Sequence, residues 1–270
     1  MKTQLMWTSA AKSHVGRVRR VNEDAYLERP QLGDYGLWVV ADGMGGHTAG
    51  DVASRMIVDE LAKLESGAQG HDLVSLVQQT LQRVNQQLRD RASHEQQRRS
   101  MGSTVAVLLT HGQRGWCLWA GDSRIYGLRY GQFRQLTRDH SHVQTLLDRG
   151  LISAAEARDH PWSNVITRAV GSQANLELEQ RSFQLVPGDI YLLCSDGLSK
   201  LLADADMAAI LSHSNSPNAV HTLIDRALEQ GADDNVTAIV VSVHSVDALD
   251  VTGNTIPLEG LSERLRQLRQ

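Results

Sequence analysis

The sequence predicts an α+β fold in which antiparallel β-sheets pack as a sandwich between helices. Two observations carry this. Three β-rich runs in mid-chain, 104–110, 115–120 and 124–129, follow one another with connections too short for a crossover helix, so they should form antiparallel hairpins. Two long segments, 49–64 and 73–88, carry apolar residues at helical spacing: Val52, Ala53, Met56, Ile57, Leu61 and Leu64, then Leu73, Leu76, Val77, Leu81, Val84 and Leu88.

Taken in order, 37–41 (LWVVA) is the first short apolar strand, ahead of the two helices. The polar stretch 91–100 reads as a loop, and the three mid-chain strands follow. Residues 140–165 show short helical periodicity broken by Pro161, which predicts a surface insertion acting as a mobile flap. Further strands are expected at 190–194 (IYLLC) and 236–243, closing a domain over 1–245. Residues 246–270 read as a linker ending in a short helix with Leu261, Leu265 and Leu268 on one face.

Composition narrows the function. A hydrophobic fraction of 41% over 270 residues suffices for a large core. A net charge of -4 and a pI near 6.2 provide no basic field for nucleic acid or anionic lipid. No N-terminal signal pattern or 18-residue apolar run is seen, so a cytoplasmic protein is expected. The two cysteines, Cys117 and Cys194, sit in apolar runs, as expected of buried thiols in a reducing compartment. Neither begins a CxxxxxR loop, which excludes a cysteine-nucleophile phosphatase.

The acidic residues suggest chemistry. The chain's two Asp-Gly steps, Asp42-Gly43 and Asp196-Gly197, both end apolar runs, while Asp234 precedes one. Glu23, Asp24, Asp122 and Asp233 also lie at strand borders. Any one of these reads as a turn or cap residue. Together they differ, because in antiparallel sheets the end of one strand and the start of its neighbour share an edge. Converging carboxylates repel unless a cation holds them, and Mg2+ or Mn2+ takes such oxygen ligands. Gly43, having no side chain, would let its carbonyl approach the same ion as Asp42. The pattern points to a two-metal hydrolase of phosphate esters.

The ordered motifs GRVRRVNEDAY, VVADGMGGHTAG, MGSTVAVLL, AGDSRIY, LTRDHS, ITRAVG, LLCSDGL and DDNVTAIVV resemble the PPM family, the type 2C metal-dependent protein Ser/Thr phosphatases, in its bacterial stand-alone form. The resemblance spans residues 14–243. It implies a four-layer αββα sandwich and a dinuclear Mn2+ or Mg2+ centre whose activated water hydrolyses phosphoserine and phosphothreonine. By position, Asp42 would bridge both ions with the Gly43 carbonyl completing the first, and Asp196 and Asp234 would bind the second. Asp122 with Asp196 would make a weaker third site, and Glu23 and Asp24 would act through water. Asp233 falls outside the motif. Met44 stands where some members have a His proposed as general acid, which leaves His47 as the candidate for that role.

Arg19, five residues before Asp24, has the spacing of the family's phosphate-gripping arginine. As an edge strand, its stretch would put Arg17 and Arg19 on one face and Arg20 on the other. The partners implied are a phosphoprotein substrate and an opposing Hanks-type Ser/Thr kinase, in some relatives one controlling a type VI secretion system, with the chain itself a monomer. Two rival readings are a phosphoprotein-binding module that has lost catalysis and a two-metal phosphodiesterase or nuclease. The first would be expected to lack metal ligands and the second to carry a basic groove.

Overall fold

The computed structural model describes residues 4–45, 49–65, 72–94, 101–158 and 160–246. The chain opens with β1 (Leu5–His14), β2 (Asp24–Leu32) and β3 (Tyr35–Met44), then α1 (Ala49–Ala62) and α2 (Leu73–His94). It continues through β4 (Gly102–Ser103), β5 (Val105–His111), β6 (Arg114–Ala120), β7 (Arg124–Arg129) and β8 (Gln132–Gln135). Two short helices follow, α3 (His142–Asp148) and α4 (Ala154–Arg158), then β9 (Glu179–Gln184) and β10 (Ile190–Cys194). The last described elements are α5 (Asp196–Ser199), α6 (Asp204–His213), α7 (Ser216–Glu229) and β11 (Val236–Ser245).

Two antiparallel sheets result. One runs β1-β11-β10-β7-β8 and the other β2-β3-β5-β6-β9, with β4 paired to β3. The central strands read as continuous apolar runs because both of their faces are buried. Along β3, Leu37, Val39 and Ala41 pack with Ile57, Leu61, Leu81 and Leu88 of α1 and α2. The alternate residues Trp38 and Val40 face the second sheet, meeting Ile125, Leu193, Ile239 and Val241. On the far side of that sheet, Leu192, Cys194, Ala238 and Val240 pack with Val220, Leu223 and Ile224 of α7. This is the four-layer αββα order. Each fully buried Leu, Ile or Val contributes about 1.5–3 kcal/mol, so three such layers outweigh any single polar contact.

Several sequence expectations change. The mid-chain strands are not one meander: β5 pairs with β6, but β7 pairs with β10 and β8 in the other sheet. The chain crosses between sheets at Gly121, whose φ of +116° suits glycine and where a Cβ would lie 2.6 Å from the Thr104 side chain. Residues 91–94, read as loop, belong to α2. The stretch from Arg17 to Arg20 is a loop between β1 and β2 rather than an edge strand, so strand alternation does not apply to it. Arg17 is anchored there, its backbone N–H donating to Ala232 O (2.8 Å) and its Nε to Leu228 O (2.5 Å). Most of the 246–270 segment, including the expected terminal helix, lies outside the described residues.

Candidate active site at the acidic edge

The sandwich brings the singled-out carboxylates to one edge. Asp24, the first residue of β2, stands directly opposite Asp42 near the end of β3. Antiparallel pairing of Cys194 with Ala238 places the end of β10 beside the start of β11, with Asp196 just beyond the first and Asp234 just before the second. Asp122 lies on the crossing link between β6 and β7. Asp233 is exposed and outside the group.

Tight backbone packing fixes this edge. A Cβ on Gly43 would come within 2.0 Å of Gly50 O, so α1 seats directly on the end of β3. Gly43 N–H donates to Glu23 O (3.1 Å), and Ser54 Oγ of α1 donates to the same carbonyl (2.5 Å). Asn235 fastens the loop after β1, its Nδ2 donating to Val15 O (2.9 Å) and Val21 O (3.0 Å) while its Oδ1 accepts from Glu23 N (2.8 Å). Asp24 Oδ2 accepts from Ser195 Oγ (2.8 Å) and Thr237 Oγ1 (2.7 Å), which fixes the carboxylate plane.

Crowding of like charge dominates the electrostatics. Burial, and then the carboxylates of Asp24, Asp196, Asp122 and Asp234, push Asp42 well above the usual carboxylate range. Burial also raises Asp24 to about 7, against the pull of Thr237 and Ser195. Asp122 rises to about 7 through burial and then Asp196. Glu23 is raised by burial, with Arg19 opposing. Two cations meet this field. Arg19 Nη2 lies 2.9 Å from Asp234 Oδ2, and Lys200 Nζ bonds Asp196 Oδ2 and, at 2.6 Å, Asn164 Oδ1. Burial alone would lower Lys200, but Asp196, Asp122 and Asp42 hold its ammonium above its ordinary value.

The donor set fits a hard divalent cation: it is all oxygen, and two buried oxygens, Glu23 Oε1 and Asp24 Oδ1, have no hydrogen-bond partner among the described residues. Among the described residues, no three His, Cys, Asp or Glu side chains close on a common point as they stand. His47 lies outside the described residues, and Met44 is half-buried at the end of β3. A cavity of about 340 Å³ lies against the edge, walled by Asp122, Asp196 and Lys200 on one side and by Ser141, Val143 and Ser163 of the 140–165 segment on the other. A larger cleft, about 1400 Å³, lined by Trp7, Arg114 and Phe183, lies among the opposite strand ends and touches none of these carboxylates.

Sequence reading did not single out Lys200, Ser195 or Thr237. Lys200 had a visible signal, since it lies four residues after Asp196 and such a pair meets on a helical turn. Ser195 and Thr237 had none, because their partnership with Asp24 depends on strand register.

A model of the family described as Protein phosphatase 2C matches residues 12–236. The serine/threonine protein phosphatase PstP of Mycobacterium tuberculosis is 37% identical over 247 residues, covering 91% of this chain and 47% of PstP. The chain therefore spans about half the length of that curated relative. A solved structure described as PppA, a key regulatory component of T6SS in Pseudomonas aeruginosa, matches with TM-score 0.79 and 44% identity, covering 88% of this chain and 98% of PppA. The catalytic domain of PstP in complex with 2 manganese ions matches with TM-score 0.80 and 35% identity, covering 89% of this chain and 100% of that one.

Proposed function

The chain belongs to the protein phosphatase 2C family, and from that premise we propose that it is a protein serine/threonine phosphatase with a dinuclear Mn2+ or Mg2+ centre at the acidic edge. The observation that carries the reading is the gathering of Asp24, Asp42, Asp122, Asp196 and Asp234 at one edge, with two buried carboxylate oxygens left without a partner among the described residues. Asp42 would be shared between the two ions, with the Gly43 carbonyl on the first and Asp196 and Asp234 on the second. Asp122 with Asp196 would hold a third ion more weakly. Glu23 and Asp24 would act through water, and the bonds from Ser195 and Thr237 hold the Asp24 carboxylate in place. When bound, the ions supply Lewis acidity that lowers the pKa of a water and offsets charge on the phosphoryl oxygens.

Arg19 pairs its planar fork with two phosphoryl oxygens of the substrate and gives up Asp234 to do so. Proton delivery to the leaving serine or threonine falls to His47. The 140–165 segment, across the cavity from Asp196, selects among phosphoproteins. The phosphatase opposes a Hanks-type Ser/Thr kinase, and the likeness to PppA, described as a key regulatory component of T6SS, supports a regulatory role of that sort. No described helix is long and apolar enough to cross a membrane. A cytoplasmic monomer is the working form.

Phosphate release from a phosphothreonine peptide tests this. Release should require Mn2+ or Mg2+ and stop on chelation. Peptide binding without release would favour the binding module, and faster cleavage of a phosphodiester than of the peptide would favour the phosphodiesterase.

A further inference from the structure

Lys200 caps the C-terminal end of α5 and holds two things at once. Its Nζ donates to Asp196 Oδ2, at the acidic edge, and to Asn164 Oδ1, in the stretch that returns from α4 toward β9. That stretch is tied down on its other side by His142 N–H donating to Val165 O (2.8 Å) and by the bridge between Ser141 and Ile166. Arg19, the other cation on the edge, bonds Asp234 and reaches nothing in the 140–165 segment. The two cations therefore differ in what else they hold.

We propose that Lys200 is a resident counter-ion that a divalent cation must displace from Asp196, and that its bond to Asn164 makes the 160–166 stretch answer to metal binding. The inference rests on the reading that Asp196 is a metal ligand. An ammonium and a divalent cation compete for the same carboxylate oxygen. Lysine suits a displaceable role because its charge is a compact point on a flexible stem, unlike a guanidinium fork. Coupling of this kind is reciprocal: if the ion displaces Lys200, then Lys200 weakens the ion by the same factor. The cavity spanned by Lys200, between Asp196 and Ser163, is the space whose shape then depends on the ion.

The test compares wild-type protein, Lys200→Met and Asn164→Ala, all as the full chain stripped of metal. Mn2+ is titrated by calorimetry, and hydrogen exchange is followed at residues 160–166. Lys200→Met should tighten Mn2+ roughly fivefold, the equivalent of one partly exposed ion pair. Asn164→Ala should tighten Mn2+ in the same direction by a smaller factor, because the bond it removes helps to hold Lys200 in place. Exchange at 160–166 should quicken on adding Mn2+ to the wild type and be fast with or without Mn2+ in both variants. Wild-type or weaker Mn2+ affinity in Lys200→Met would overturn the proposal, as would exchange in the wild type that ignores Mn2+. Absence of Mn2+ binding by the wild type would overturn the proposed function itself and this inference with it.

Discussion

Strand β10 has a buried or half-buried carboxylate beyond each end, Asp189 before it and Asp196 after it, and the two ends are treated in opposite ways. Asp189 is fully met: the Arg129 fork reaches both oxygens (2.7 and 2.6 Å), and Val186 N–H (3.0 Å) and Tyr191 OH (2.8 Å) donate to Oδ2. Asp139 is satisfied in the same manner by Arg124 and Gln135. At the other end five aspartates crowd together with only single contacts from cations, Arg19 Nη2 on Asp234 and Lys200 Nζ on Asp196, and Asp24 Oδ1 and Glu23 Oε1 have no hydrogen-bond partner among the described residues. A carboxylate met on every side is a staple. One kept short of partners among its own kind is costly to the fold, and that cost marks it as reserved for a ligand.

The strongest way to break this contrast is at Asp42. Under the proposed metal assignment, Asp42→Asn should cut turnover on the order of a thousandfold or more, because one group would serve both ions. Its melting temperature without metal should hold or rise, since a repelling charge has gone. Near-normal turnover at saturating Mn2+ would remove the distinction between the two ends.

Arg129→Ala is the mirror experiment. It leaves the Asp189 carboxylate, only 1% exposed, without its fork, and should cost about 3 kcal/mol of stability in denaturant titration. Activity per folded molecule should persist. Loss of activity with stability unchanged would show that the paired end is not merely structural.

Arg19→Ala should raise KM for a phosphopeptide about tenfold and weaken inhibition by phosphate, leaving metal affinity nearly unchanged; Arg19→Lys should recover part of this. If Arg17→Ala produced that pattern instead, the phosphate contact would belong to another arginine.

The smallest effect concerns His140, a buried imidazole whose Nδ1 accepts from Gly121 N–H (3.1 Å) and whose Nε2 lies 3.3 Å from Glu179 Oε1. Burial, with Arg168 adding to it and Glu179 opposing, holds its imidazole below 6.5. The folded state therefore resists protonation that the unfolded chain accepts. The stability from the neutral ring is complete above 6.5 and is lost as pH falls toward the folded value. His140→Gln should flatten that part of the melting-temperature profile between about pH 5 and pH 7.5. An unchanged profile would assign the slope to other groups.

How far the sequence could be read follows from the same physics. Strands β3, β5, β6, β10 and β11 are buried on both faces, so they show as apolar runs, and the Asp-Gly steps at their ends were visible for the same reason. Strand β1 is mostly half-buried and mixes Thr, Ser, Lys and His with short apolar blocks, so no continuous apolar run marks it. The crossing at Gly121 depends on which sheet receives β7, and a short connection suggested the nearer partner. Helix α7 carries a plain helical period, Ala219, Val220, Leu223, Ile224 and Ala227, that its sequence shows as clearly as α1 and α2 do. At the site, residue identities and the strand edge were legible. The hydrogen bonds of Ser195, Thr237 and Lys200 were not, because they come from register and from a segment more than thirty residues away, 36 in the case of Asn164.

Strand β1 has one neighbour in its sheet, and that neighbour is β11, the last described element. The hydrogen bond from Thr237 to Asp24 joins residues 213 apart. On a ribosome this makes a clock: until Asp234 has left the exit tunnel the acidic edge is incomplete, and until β11 follows it β1 lacks its strand partner. A partly made chain can assemble α1 and α2 on β3 and β5, but it cannot complete the acidic edge. Chains arrested before β11 should leave the β1 amides open to hydrogen exchange, and protected β1 amides in such chains would refute the clock.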